Sequence, residues 1–140
     1  MPDCIFCRII ANELPSRRLY EDDEIIAFLN IRPVQPGHAL VVPKAHVETL
    51  LDAPAPLLAR WIEVTQRVAR ALKDATGCPG FQIGQNNGKA GGQEVPHLHM
   101  HIIPRYDHDG LAERHGQSLD EAQADALMAK VRAALASSKD

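Results

Sequence analysis

The sequence predicts an α+β fold, an antiparallel sheet of about five strands covered on one side by a long helix. Three features predict it. Apolar residues recur every three or four positions between Pro56 and Ala75, the signature of an amphipathic helix. Apolar runs too short for helices, bounded by turn residues, lie before and after it. His97 to Ile103 alternates histidine and apolar residues with a period of two, the pattern of a strand with two unlike faces.

In chain order, Cys4 to Ala11 places Ile5 with Ile9 and Phe6 with Ile10, which makes a short N-terminal helix that Pro15 ends. Arg18 to Tyr20 and Ile25 to Leu29 are strands joined by the acidic turn Glu21-Asp22-Asp23-Glu24. Arg32 to Gly37 is turn chemistry, with prolines fixing φ, and His38 to Val42 extends again until Pro43. Leu57, Trp61, Val64, Val68 and Leu72 form the buried stripe of the long helix, and Gly77 stops it. Phe81 to Gly84 is a short strand, and Asn86 to Gly92 is a loop that turns tightly or lets something approach its backbone. Pro96 opens the last strand and Pro104 closes it. Tyr106 to Ser118 is polar and mobile, and Leu119 to Ala136, with Leu127, Val131 and Leu135 four apart, is a terminal helix.

Bulk composition narrows the function. The length suits about one domain, and 45% apolar with 24% charged residues is globular. A net charge of −3 without a basic stripe gives a long nucleic acid little to bind. No basic leader opens the chain, and apolar residues nowhere run to the about 18 that a membrane helix needs, so the expected location is cytoplasmic. Cys4 and Cys7 stand too close for a loop-closing disulfide and read as reduced thiols or metal ligands; Cys78 reads as a small buried hydrophobe.

The histidine segment carries the chemistry. His97, His99 and His101 share one face of a strand, and Leu98, Met100 and Ile102 the other. At a rise of about 3.3 Å per residue, alternate imidazoles stand roughly 6.6 Å apart, the scale of a di- or triphosphate. An imidazole is largely neutral at neutral pH and can attack phosphorus without a separate base if its other nitrogen keeps a proton. The loop from Asn86 to Gly92 offers backbone N–H groups for anions. No Walker lysine follows it.

His-φ-His-φ-His-φ-φ, with φ apolar, resembles the signature of the histidine triad (HIT) family, and Gly92-Gln93-Glu94-Val95-Pro96 is similar to what precedes it there. Cys4-Ile5-Phe6-Cys7, Tyr20-Glu21-Asp22-Asp23, Ala27-Phe28-Leu29-Asn30, Pro36-Gly37-His38, Val41-Val42-Pro43-Lys44 and Gln85-Asn86-Asn87-Gly88 stand in the order of its Hint-like branch of bacterial type. The likeness covers residues 4 to about 106 and divides the chain into a HIT domain over 1–110 and a polar segment with a helix over 111–140.

The resemblance implies a HIT-like fold and a hydrolase acting at the α-phosphate of nucleoside phosphoramidates or related nucleotidyl conjugates. His99 is then the nucleophile, its second nitrogen protonated and held by the backbone carbonyl of His97, and His101 meets the phosphate or bridging atom. It further implies that Asn86, Gly92 and Gln93 lie at the phosphate, and that Phe6, Ile9, Phe28 and Ile31 line a purine pocket. From spacing alone those four residues read equally well as core. Asn30, the polar neighbour, stands where Hint-like proteins commonly have aspartate. Glu94 departs from the serine or threonine that many relatives set against the leaving group.

Cys4 and Cys7 have the spacing of two ligands on one tetrahedral metal, and the resemblance adds His46 and His97 to a closed structural zinc site. Catalysis itself is expected to need no cofactor. The family also suggests a homodimer. Beside this reading stand a dinucleoside polyphosphate hydrolase, a metal-dependent hydrolase with His97, His99 and His101 as ligands, and a non-enzymatic nucleotide-binding adaptor.

Overall fold

A computed structural model describes residues 4–110 and 118–137. Five strands, β1 (Arg18–Glu21), β2 (Ile25–Leu29), β3 (Ala39–Pro43), β4 (Gly80–Gly84) and β5 (Met100–Arg105), form one antiparallel sheet in the order β1-β2-β3-β5-β4. Helices α1 (Ile5–Ile10), α2 (Ala55–Thr76) and α3 (Glu121–Ser137) pack on it. No helix among the described residues is long and apolar enough to cross a membrane.

Strand alternation divides the apolar residues between two cores. Ile25, Ala27 and Leu29 of β2, Ala39 and Val41 of β3, and Met100 and Ile102 of β5 face α2 and α3. The Trp61 indole N–H of α2 donates to the Val41 carbonyl at 2.9 Å, and Ala124, Val131 and Leu135 of α3 join that same core. On the other face Ile26, Phe28, Leu40 and Val42 pack with Cys4, Phe6 and Ile9 of the α1 region. Because β2 and β3 are covered on both faces, every one of their residues is buried. The α1 side covers only part of its face, and the uncovered part is a cleft.

The histidine segment departs from the expected strand. Regular pairing with β3 covers only Met100 to Ile102, so Pro96, His97, Leu98 and His99 precede the ladder. Their backbone is held otherwise: the Leu98 N–H donates to the Val47 carbonyl at 2.8 Å and the His97 N–H to that of Val95 at 2.8 Å. Pro104 lies inside β5 opposite Phe81, where the ladder to β3 has already ended and a residue without an N–H is tolerated. Of the segment expected to be mobile, residues 111–117 lie outside the described residues, whereas 106–110 and 118 belong to them.

Candidate active site and metal centre

Each of the three segment histidines is fixed by a different neighbour. A carbonyl oxygen can only accept, so each ring nitrogen facing one carries a proton. His99 donates from Nδ1 to the His97 carbonyl at 2.7 Å, which leaves Nε2 with its lone pair. His97 donates from Nε2 to the Pro43 carbonyl at 2.7 Å, which leaves Nδ1 unprotonated.

That Nδ1 points at two thiols, 3.3 Å from Cys4 Sγ and 3.6 Å from Cys7 Sγ, and His46 Nδ1 lies 3.3 Å from Cys7 Sγ. All four donor atoms fall within 4.8 Å of one another. Tetrahedral zinc with bonds of about 2.0–2.3 Å spans ligand–ligand edges of this size. Burial, together with the smaller effects of the hydrogen bond and charge of Cys4, pushes the Cys7 thiol up to about 11, so thiolates here call for a cation. The donor set fits a metal, and among the described residues it is the one such group. His99 and His101 do not join it, so the three segment histidines do not converge on one metal.

His101 is oriented by His38, the residue just before β3. The Val34 N–H donates to His38 Nδ1 at 3.2 Å, so His38 carries its proton on Nε2, which lies 2.9 Å from His101 Nδ1 and a longer 3.5 Å from Asn30 Nδ2. His101 accepts there and presents Nε2–H to the cleft. Desolvation, with a smaller repulsion from neighbouring imidazoles, holds His38 down to about 3 and His101 to about 4. Burial likewise lowers His99, the hydrogen bond to the His97 carbonyl opposing it. At neutral pH the rings are uncharged, one offering a lone pair and the next a donor, with centroids 4.9 Å apart.

These rings line a cleft of about 620 Å³ with Phe6, Asn30, Ile31, Asn86, Gly92 and Glu94. That volume falls within the range of small-molecule sites. An adjoining apolar pocket of about 300 Å³ includes Ile9 and Phe28 beside Phe6 and Ile31. Phe6 stands edge-on to His99 with centroids 5.0 Å apart, so the apolar pocket that Phe6 lines adjoins the His99 ring. Asn30 accepts the Arg32 N–H through Oδ1 at 2.8 Å.

Gln93 faces away from the cleft. Its Oε1 accepts the Gly88 N–H at 2.7 Å, and its Nε2 donates to the Glu48 carbonyl at 2.7 Å and the Val95 carbonyl at 2.9 Å. With its amide committed on both sides, it braces the loop rather than facing a ligand. Gly92 has φ +93°, and a Cβ there would meet Asn86 Nδ2 at 3.4 Å, so the two cleft-lining residues of this loop are in close contact.

Sequence reasoning missed His38 and Arg32, which also line the cleft. His38 lies two residues before Leu40, which β3–β5 pairing sets opposite His101. The available signal was His38 itself, an imidazole opening a strand on the face of Leu40.

The HIT domain profile matches residues 11–108. The adenylylsulfatase HINT3 of Arabidopsis thaliana is 39% identical over 140 residues, covering 96% of this chain and 71% of that protein. The adenosine 5′-monophosphoramidase HNT1 of Saccharomyces cerevisiae is 44% identical over 104 residues, covering 74% of this chain and 63% of that protein. A crystal structure of a Zn-bound histidine triad family protein from Mycobacterium smegmatis superposes with a TM-score of 0.86 at 38% identity, covering 96% of this chain and 94% of that one.

Proposed function

This chain belongs to the HIT domain family, and from that premise we propose that it hydrolyses nucleoside phosphoramidates or related nucleotidyl conjugates at the α-phosphate through a nucleotidyl-His99 intermediate. The observation that carries the reading is the His99 ring, its Nδ1 proton tied to the His97 carbonyl at 2.7 Å and its Nε2 lone pair left toward the cleft. The two relatives named for activity, an adenylylsulfatase and a monophosphoramidase, both support attack at an adenylyl phosphorus.

Atoms and charges balance in two steps. His99 Nε2 bonds to the α-phosphorus while the bond from phosphorus to the leaving amine breaks, and the amine takes a proton. That proton comes from solvent, and His101, holding Nε2–H in the cleft, donates a hydrogen bond to the departing nitrogen. Water then attacks phosphorus and gives up a proton to solvent, replacing the one the amine took, the phosphorus–Nε2 bond breaks, and nucleoside monophosphate leaves with His99 restored. The apolar pocket of Phe6, Ile9, Phe28 and Ile31 takes a purine, Asn30 faces the ribose, and Asn86 and Gly92 face the phosphate. Zinc held by Cys4, Cys7, His46 and His97 supplies a rigid corner and takes no part in the reaction.

A homodimer is part of this reading. Edge strand β4 leaves Phe81 and Ile83 each 45% exposed beside Ile62 of α2 at 48%, an unpaired edge and an apolar patch that a second copy would cover together.

Rapid quenching with a slow phosphoramidate tests the mechanism. A nucleotide mass on the peptide containing His99 is expected, acid-labile as a phosphorus–nitrogen bond is. Turnover without such an adduct, or an adduct on another residue, overturns it.

A further inference from the structure

The family match ends at residue 108, yet the very next residue braces the site from behind. The Asp109 side chain, 7% exposed, accepts from Arg105 Nε at 2.9 Å and Nη2 at 3.1 Å, from the Tyr106 N–H at 3.0 Å and from Gln35 Nε2 at 3.2 Å. Gln35 is buried in the turn before β3, donates also to the Pro104 carbonyl at 3.3 Å, and its own carbonyl accepts the His38 N–H at 3.0 Å. Between them Gly37 sits at φ +92°, where a Cβ would come within 2.9 Å of Pro104 and 3.3 Å of Leu127 in α3. The turn is thus pressed against the end of β5 and the C-terminal helix while its far side presents His38 to His101.

This placement bears on a proton. His38 donates to His101 because the Val34 N–H occupies His38 Nδ1 at 3.2 Å, and Val34 lies in the turn that Gln35 pins. If the turn relaxes, Val34 withdraws and His38 can move its proton to Nδ1. Its Nε2 then accepts, His101 turns its own proton to Nδ1 to donate, and the His101 nitrogen facing the cleft becomes an acceptor. The pair stays hydrogen-bonded, but the cleft loses its donor.

We propose that Asp109, acting through Gln35, is a positioning residue that fixes the tautomers of the His38–His101 pair. The kinetic consequence rests on the hydrolase reading; the tautomer does not. The test compares Asp109→Ala, Gln35→Ala, the double variant and Arg17→Ala in the full chain, reading the ¹⁵N resonances of His101 without substrate and turnover on an adenosine phosphoramidate. Asp109→Ala, which removes the acceptor of Gln35 Nε2, and Gln35→Ala are expected to shift His101 toward the Nδ1–H form and lower kcat about tenfold with KM within about twofold, as removal of an outer-shell partner does. The double variant is no worse than the worse single, because the shared contact is being removed twice. Arg17→Ala breaks the α3 pairs to Asp125 and Glu121 and lowers only Tm. If Asp109→Ala does not fold, Gln35→Ala carries the test. Folded variants with an unchanged His101 tautomer overturn the proposal; a shifted tautomer with unchanged turnover upholds it and counts against the hydrolase reading instead.

Discussion

Two clusters that each contain imidazoles lie at opposite ends of one short segment. Around His97, two thiols and two imidazoles draw together within 4.8 Å in a largely buried corner. Around His101, imidazoles are joined in series, His38 Nε2 to His101 Nδ1 at 2.9 Å, beside an open cleft. Lone pairs that converge hold a cation; a lone pair and a donor set side by side can attack phosphorus and hydrogen-bond the departing group. His99 sits between the two, oriented by the carbonyl of the first cluster and in ring contact with the second. Equal spacing in sequence therefore conceals unlike roles, assigned by what faces each ring.

The comparison breaks most directly at His99. His99→Ala is expected to lower kcat by at least about 10³-fold while nucleotide still binds and Tm barely moves. Stopped-flow turnover and a melting curve on the same sample check it, and retained turnover would place the chemistry elsewhere.

Cys4→Ser or chelation should do the reverse. Metal-binding energy is folding energy, so loss of one ligand costs several kcal/mol and lowers Tm on the order of 10 °C. Below the melting transition kcat should fall less than about tenfold, because the Pro43 carbonyl still holds the His97 ring. Metal analysis of fresh protein gives the complementary reading, near one zinc per chain; less than about 0.2 would remove the metal from the account.

Legibility from sequence divides along the same line. Ile25–Leu29 was legible to the residue, because five apolar residues between an acidic turn and Asn30 leave little choice. The long helix was legible to within a residue at each end from its stripe and Gly77, which takes φ +70°. The start of β5 was not, because alternation reads alike whether the backbone pairs with a strand or, as at Leu98, with a loop carbonyl. The Cys4–Cys7 spacing offered a pair of reduced thiols or two metal ligands, whereas His46 and His97 came only through resemblance. His38 stayed hidden because its meeting with His101 depends on β3–β5 register, which no local pattern records. Gln93 was set near the phosphate by resemblance alone, and no local pattern records that its amide engages Gly88, Glu48 and Val95.

The relay cluster should also show itself in acid. His38 and His101 bind protons in the folded state only near pH 3 and 4, against 6.5 ordinarily, so between those values the unfolded chain takes up protons that the folded one refuses. Their contribution to stability is therefore full above about pH 6.5 and is lost as pH falls toward 4. The urea midpoint should drop across that window, and His38→Asn should make the drop shallower; an unchanged slope would mean the ring is not held neutral by burial.

The smallest effect is expected at Glu94, the acidic residue lining the cleft. Among the described residues its carboxylate has no hydrogen-bond or ion-pair partner, and its charge favours protonated His99 by less than burial disfavours it and less than the His97 carbonyl favours it. An anionic leaving group such as sulfate or a nucleoside polyphosphate meets repulsion from that carboxylate, whereas an amine does not. Because the side chain is exposed, solvent and salt screen most of the interaction. Glu94→Gln and Glu94→Ser should therefore raise kcat/KM on adenylyl sulfate relative to an adenosine phosphoramidate by only about two- to fivefold, less at high ionic strength. Identical substrate profiles in all three proteins would show that Glu94 does not face the departing group, and preference between amide and anhydride would then have to be set by the pocket alone.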